Sequence, residues 1–255
     1  FVNNLAEEDV IDSKLKHQLL PPSEPTVPGF YGLPKIHKPP PILVLPIVSN
    51  IGSVTYNIAK YVAKILNPLV GKLPHHLVNS QDFVSKIKDK KLDEKEIMVS
   101  YDVMALFTSI PTDEALSVAR KCLMNDPTLG ERTALTAEQV STLLALCLDI
   151  SYFSFRGKYY KQHHGCAMGS PISPVIANLY MELFEQHVLS TFPGLKPRLW
   201  LRYVDDTFVI LNADQQDSFF NFINSLDTNI KFTQENPKDN TLSFLDTAVH
   251  RHLNG

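Results

Sequence analysis

Two adjacent carboxylates, Asp205 and Asp206, stand between two strongly apolar runs, Leu199 to Val204 and Thr207 to Leu211. Carboxylates in such a setting are costly to hold unless they face water, cations or hydrogen-bond donors. Asp also tolerates turn geometry, so a plain hairpin turn is one reading of the pair. Asp102 opens a second reading, because it ends another apolar run, Ile97 to Tyr101. A sheet that set these runs side by side would bring three carboxylates together. Converging carboxylate oxygens suit Mg²⁺, a hard ion that keeps several waters and takes phosphate oxygens as further ligands. Two such ions about 4 Å apart stabilise the attacking and leaving oxygens of a phosphoryl transfer. Spacing alone leaves both readings open.

The elements that must carry these residues can be read from periodicity. Nine of the 18 prolines lie between Pro21 and Pro46, so the front of the chain is expected to be extended and loop-rich. Ile42 to Leu45 and Ile47-Val48 read as strand, with Pro46 marking an edge or bulge. Ile58, Val62, Ile65 and Leu69 follow helical spacing. A charge-rich connector runs from Lys86 to Glu96 and leads into the Ile97 to Tyr101 strand. Pro111 to Glu114 marks a helix start, and Thr136 with Gln139 forms a capping box for the next helix. That helix sets Val140, Leu143, Leu144, Cys147 and Leu148 on one face, which makes Cys147 core. Tyr152 to Phe155, Arg156-Gly157 and Lys158 to Tyr160 predict a β-hairpin. Ser170 to Pro174 opens a helix whose apolar stripe is Ile176, Leu179, Tyr180, Leu183 and Phe184. Leu199 to Val204 and Thr207 to Leu211 predict two strands joined across Asp205-Asp206. A helix carrying Phe219, Phe222, Ile223 and Leu226 follows, then a strand from Ile230 to Thr233. Interleaved strands and helices favour an α+β fold with helices on one face of the sheet.

At 255 residues, 44% hydrophobic and 20% charged, the chain has an ordinary globular composition, which excludes wholesale disorder and collagen-like repeats. No stretch approaches the ~20 apolar residues of a membrane span, so no membrane partner is expected. The N-terminus has neither a basic nor an apolar region of a signal peptide; lacking an initiator Met, the chain reads as an excised fragment. Cys122, Cys147 and Cys166 are odd in number and far apart, which argues against a disulfide framework and fits a reducing, nuclear or cytoplasmic location. The net charge of -3 looks unpromising for nucleic acid, but the charges are segregated. No acid lies between Glu24 and Asp82, where Lys35, Lys38, Lys60, Lys64 and Lys72 fall. None lies between Ile150 and Met181, where Arg156, Lys158 and Lys161 fall. Such segregation can attract a polyanion locally whatever the total charge; chance clustering is the alternative.

The residues around the carboxylates narrow the choice. Tyr203-Val204-Asp205-Asp206 resembles the catalytic signature of reverse transcriptases. Tyr101 to Pro111 resembles their first carboxylate motif, and His164 to Pro174 their glycine-rich loop and helix. With Tyr31-Gly32-Leu33-Pro34-Lys35-Ile36-His37-Lys38-Pro39 upstream and Leu242-Ser243-Phe244-Leu245-Asp246 downstream, the set is similar to the Penelope-like retroelement polymerases, relatives of telomerase. Five motifs in order cover nearly the whole chain.

The resemblance implies RNA-directed DNA polymerisation, in which a primer 3′-hydroxyl attacks the α-phosphate of a deoxynucleoside triphosphate. The implied partners are an RNA template, a DNA primer and dNTPs; the cofactor is Mg²⁺ as two ions, or Mn²⁺ in its place. Asp102, Asp205 and Asp206 are implied as catalytic residues and, with Val103, as metal ligands, Asp102 and Asp205 holding both ions and Asp206 serving as a weaker ligand or electrostatic partner. Lys35, Phe107, Met168, Gly169 and Ser170 would meet the nucleotide, Phe107 as a gate beneath the sugar. Lys38, Arg156, Lys158, Lys161 and Tyr203 would contact nucleic acid, whereas His163 and His164 are left as surface or template-contacting residues. The implied architecture is a right-hand polymerase core with an antiparallel palm sheet. Fingers would occupy 1–96, palm 97–120, a second fingers portion 121–162 and palm 163–255; the thumb and the nuclease domain of a parent polyprotein are missing. One departure is Leu45, where the family reads Arg before Pro-Ile-Val-Ser. That departure supports a rival, a decayed or host-retained remnant that binds nucleic acid without polymerising. A metal-dependent phosphohydrolase is a third reading, but it lacks an obvious water-activating group.

Overall fold

The structure, a computed structural model, describes residues 1–34 and 44–252. In chain order its helices and strands are α1 (Val2–Glu7), α2 (Ser13–Leu19), β1 (Gly29–Pro34), β2 (Val44–Ser49), α3 (Tyr56–Leu66), α4 (Ser80–Ile87) and β3 (Glu96–Val103). Then come α5 (Leu106–Ser109), α6 (Thr112–Met124), α7 (Leu129–Arg132), α8 (Ala137–Asp149), β4 (Tyr152–Phe155), β5 (Lys158–Lys161) and α9 (Ser173–Thr191). The chain closes with β6 (Leu199–Tyr203), β7 (Asp206–Asn212), α10 (Gln216–Ser225), β8 (Phe232–Glu235), β9 (Thr241–Phe244) and β10 (Thr247–His250). It forms two compact units, one of residues 1–70 and 110–180, the other of residues 71–109 and 181–255. This is the mixed α+β architecture expected from the sequence. No helix among the described residues is long and apolar enough to cross a membrane.

In the first unit a four-stranded sheet has the order β2-β1-β4-β5. β2 is an edge strand, which is where a strand tolerates Pro46. β1 and β4 pair in parallel through Gly29 and Ser154, so this sheet is mixed rather than purely antiparallel. Helix α8 packs on α3 and α6. The Thr136 hydroxyl accepts the Gln139 amide while the Gln139 side chain accepts the Thr136 amide, the reciprocal cap expected there. Val140, Leu143, Leu144 and Cys147 are buried, and burial pushes the Cys147 thiol up to about 12, leaving it an inert core group.

The second unit is built on an antiparallel sheet of order β6-β7-β3-β8, accompanied by the β9–β10 hairpin. Successive strand residues face opposite ways and directly paired residues share a face. One face carries Val99, Tyr101, Val209 and Trp200. Tyr101 stacks on Phe220, Phe219 meets Trp200 and Phe192, and Phe184 meets Phe232, so α10 and the later part of α9 cover this side. The other face carries Met98, Leu201, Phe208 and Ile210. It is covered at one end by Leu77, Phe83, Leu242 and Phe244.

Two local expectations need correction. Leu183, expected in the α9 stripe, is exposed, because α9 buries Ala177, Met181 and Glu185 as well and leaves Leu183 on its remaining side. The strand expected from Ile230 begins at Phe232. The Asp227 carboxylate takes the amides of Asn229 and Ile230 at 2.7 and 3.3 Å, which holds those two residues in a turn.

Candidate active site

The register of the second unit's sheet brings the sequence-predicted carboxylates together. β3 and β7 pair from Glu96 opposite Asn212 to Asp102 opposite Asp206. Tyr203 lies opposite Asp206 on β6, and Thr233 opposite Asp102 on β8. A single row therefore crosses the sheet as Tyr203, Asp206, Asp102 and Thr233. The rows beside it are Leu201, Phe208 and Ser100, then Leu199, Ile210 and Met98. Side chains directly opposite in an antiparallel pair have Cβ atoms about 5 Å apart. The acids thus share one face, beyond the apolar cluster, and Asp102 is exposed there.

Asp205 adjoins this row in a tight turn. The expected joint was Asp205-Asp206; in the structure Asp206 is the first residue of β7 and the two loop residues are Val204 and Asp205. Val204 has φ 55°, a left-handed conformation unusual for a β-branched residue. Of the two loop residues only the first has positive φ, as in a type II′ hairpin. The Val103 amide donates to the Asp205 carbonyl at 3.0 Å, tying the turn to the end of β3.

A buried ion pair holds the turn from behind. Arg202 and Glu185 are fully buried, with Nε donating to Oε1 at 2.7 Å. The Trp200 indole donates to the same Oε1 at 2.7 Å, and His75 Nε2 lies 3.4 Å from Oε2. Arg202 Nη1 donates to the Val204 carbonyl at 2.9 Å. Burial alone would raise the Glu185 carboxyl, but the Arg202 charge and the His75 and Arg202 hydrogen bonds bring it below the usual carboxylate range. One turn earlier, burial raises the Glu182 carboxyl, whose Oε1 accepts the Gly71 amide at 2.6 Å. Sequence reasoning missed this network. The available signal was one Arg inside an apolar strand, which demands a buried carboxylate partner, and two Glu inside an apolar helix.

Other predicted residues of this unit lie close in sequence to the row. Phe107 sits half-buried in the short helix α5, after Ala105 with φ 50°. Val103 is buried, so only its backbone oxygen could serve an ion. Among the described residues no group of three or more His, Cys, Asp or Glu is arranged to hold a metal. Mg²⁺ does not need such a cage, since it commonly takes one or two carboxylates plus water and phosphate oxygens. Two opposed carboxylates and an all-oxygen donor set fit that demand.

The remaining candidates belong to the first unit. Gly169 has φ 122°, and a Cβ there would stand 2.3 Å from the Val48 carbonyl oxygen. Only glycine permits this approach, which is supported by the Val48 amide donating to the Met168 carbonyl at 2.8 Å. Ser170 follows in the turn before α9. Arg156, Lys158 and Lys161 are on the β4–β5 hairpin, and His163 and His164 are exposed beyond it. Leu45 pairs with the exposed Leu33 and is itself half-buried, outside the core. Lys35 and Lys38 lie outside the described residues.

Residues 48–244 match the family model for reverse transcriptase (RNA-dependent DNA polymerase). No curated protein matches the sequence. The fold is similar to that of telomerase from Candida albicans in complex with a TWJ fragment of telomeric RNA, with TM-score 0.64 and 12% identity, over 97% of this chain and 49% of that one. It is also similar to apo telomerase from Candida tropicalis truncated from its C-terminal domain, with TM-score 0.59 and 12% identity, over 91% and 55%. The RNA-dependent RNA polymerase of a human picorbirnavirus is similar with TM-score 0.59 and 14% identity, over 89% and 43%. The chain thus spans about half the length of the solved chains it resembles. With a single family model matched over most of its length, this chain belongs to the reverse transcriptase (RNA-dependent DNA polymerase) family.

Proposed function

We propose that the chain is the fingers–palm part of a Penelope-like retroelement reverse transcriptase, extending a DNA primer on an RNA template. The observation that carries this reading is the cross-sheet row in which Asp102 directly opposes Asp206, with Asp205 in the adjoining turn. Like charges directly opposed in a sheet are destabilising, and a shared cation removes that penalty. The motif set from Tyr31 to Asp246 supports the Penelope-like assignment. The first unit would serve as fingers and the second as palm.

The three carboxylates, with the Val103 backbone oxygen, would hold Mg²⁺. When bound, the ions would supply charge stabilisation for the transferring phosphoryl group and its attacking and leaving oxygens. The chain's own contribution is placement, which dominates phosphoryl transfer. The β3–β7 register fixes Asp102 against Asp206, and the Val103–Asp205 backbone bond fixes the turn. Phe107, close after β3, would present its ring to the sugar and exclude a 2′-hydroxyl. Primer extension with dNTPs on an RNA template tests the reading. Template-dependent extension that disappears in Asp102→Asn is the expected result. Extension that persists in Asp102→Asn, or that ignores the template, contradicts it.

A further inference from the structure

We propose that His75 is a positioning residue for the β6–β7 turn, acting on it through Glu185 and Arg202. β6 is an edge strand of its sheet, and residues 75–77 cover that edge beside Arg202. The Arg202 amide donates to the His75 carbonyl and the Leu77 amide donates to the Arg202 carbonyl, both at 2.8 Å. The covering segment is itself laid on one face of α9. Glu182 and Glu185 are three positions apart, a spacing that makes them neighbours on a helix surface. The first accepts the Gly71 amide, and the second presents Oε2 to His75 Nε2. Lys86 Nζ donates to the His76 carbonyl at 2.6 Å, a further anchor of the segment.

His75 therefore meets Arg202 twice. Its carbonyl holds the Arg202 backbone, and its ring faces the carboxylate that holds the Arg202 guanidinium. This closed circuit leads out to the turn through Arg202 Nη1 and the Val204 carbonyl. Packing alone does not call for an imidazole here. The His75 side chain is 13% exposed, and Leu77 in the same segment is buried, so an apolar side chain would fill the space as well. What the imidazole adds is a donor, since a ring nitrogen held against a carboxylate carries its proton there. Glu185 Oε1 already takes Trp200 and Arg202, and His75 Nε2 is set against Oε2. A buried charged oxygen deprived of a donor is costly, so without the imidazole the carboxylate turns toward other donors and draws Arg202 with it. The Val204 carbonyl then shifts, and Asp205 next to it. The role rests on the polymerase reading above, because the turn would serve the chemistry at Asp205.

The test compares His75→Leu, which fills the space without a donor, with His75→Gln, which returns an amide donor toward Oε2. Two readouts are taken on the full chain. Trp200 emission reports the Glu185 carboxylate that the indole shares, and steady-state primer extension on an RNA template reports the turn. His75→Leu is expected to shift the emission and to lower kcat by about tenfold to a hundredfold with little change in KM for dNTP, the signature of a misplaced reacting group. His75→Gln is expected to keep the wild-type emission and most of kcat. Should His75→Leu fail to fold, His75→Asn, whose amide is too short to reach Oε2, takes its place. Wild-type emission and kcat in the variant without a donor overturn the proposal. So does equal loss in the Leu and Gln variants, which assigns His75 to packing. The polymerase reading fails separately: a wild-type chain that extends no primer loses the enzyme, while the Leu–Gln difference in Trp200 emission still decides whether His75 holds the network.

Discussion

The β4–β5 and β6–β7 hairpins each close with a two-residue turn, yet they are held in opposite ways. Arg156 and Gly157 both have positive φ, the pattern of a type I′ turn, and the glycine meets no atom within 4 Å of a Cβ position. That turn is satisfied by local chemistry. At β6–β7 a β-branched Val204 occupies the left-handed region, a placement that costs about 1–2 kcal/mol. There the Arg202 guanidinium, itself paired with Glu185, binds the Val204 carbonyl. A strained turn persists when tertiary structure over-determines it. Asp205 thus sits in, and Asp206 directly after, a turn held by the sheet and α9 rather than by its own residues.

Removing the tertiary support of the β6–β7 turn should have the largest effect. Arg202→Met leaves Glu185 charged and buried without its guanidinium, and is expected to lower unfolding free energy by about 3–5 kcal/mol in denaturant titrations. Replacing both Arg202 and Glu185 with Met should recover much of that loss, because neither member of the pair is then left buried without the other. If the β6–β7 turn depends on this network, the double variant will be folded but will still lose primer extension.

Exchanging the turn residues sharpens the contrast at smaller magnitude. Gly157→Val puts a β-branched residue where only local conformation decides, and should destabilise by about 1–2 kcal/mol. Val204→Gly relieves strain that is already offset, and should change stability by less than about 1 kcal/mol. Thermal unfolding of the two variants checks the ordering; equal effects would mean the turns are held alike.

Acid gives the mildest test. Glu185 has its carboxyl lowered in the folded chain, so its contribution to stability is fully present above the ordinary value of 4.5 and is lost as pH falls through the lower folded value. Trp200 is the only tryptophan and donates to Glu185, so its fluorescence reports this site directly. Its emission should hold steady from neutral pH to about 4.5 and shift below it. A shift centred well above 4.5 would point to another group.

Much of the fold was legible because its signals are local. The capping box at Thr136 and Gln139, the α8 stripe and the Arg156-Gly157 hairpin all depend on residues a few positions apart. The β6–β7 turn was misplaced by one residue because its position follows from Arg202, whose partner Glu185 is 17 residues away. Gly169 was legible only through the resemblance, as a residue meeting the nucleotide; its close approach to the Val48 carbonyl, distant in sequence, was not. The carboxylates were legible by type and by motif, whereas their opposition depends on the β3–β7 register, which no local pattern specifies.

Polymerisation by this chain would require the Asp102–Asp206 row, with Asp205, to bind divalent ions. Electron paramagnetic resonance of Mn²⁺ titrated into the full chain with a dNTP present tests it most directly. Bound Mn²⁺ is expected, with an affinity that falls at least about tenfold in Asp102→Asn, the loss of one of its few carboxylate ligands, while Asp113→Asn in the first unit leaves it unchanged. Equal Mn²⁺ affinity in the wild-type chain and in Asp102→Asn would contradict it.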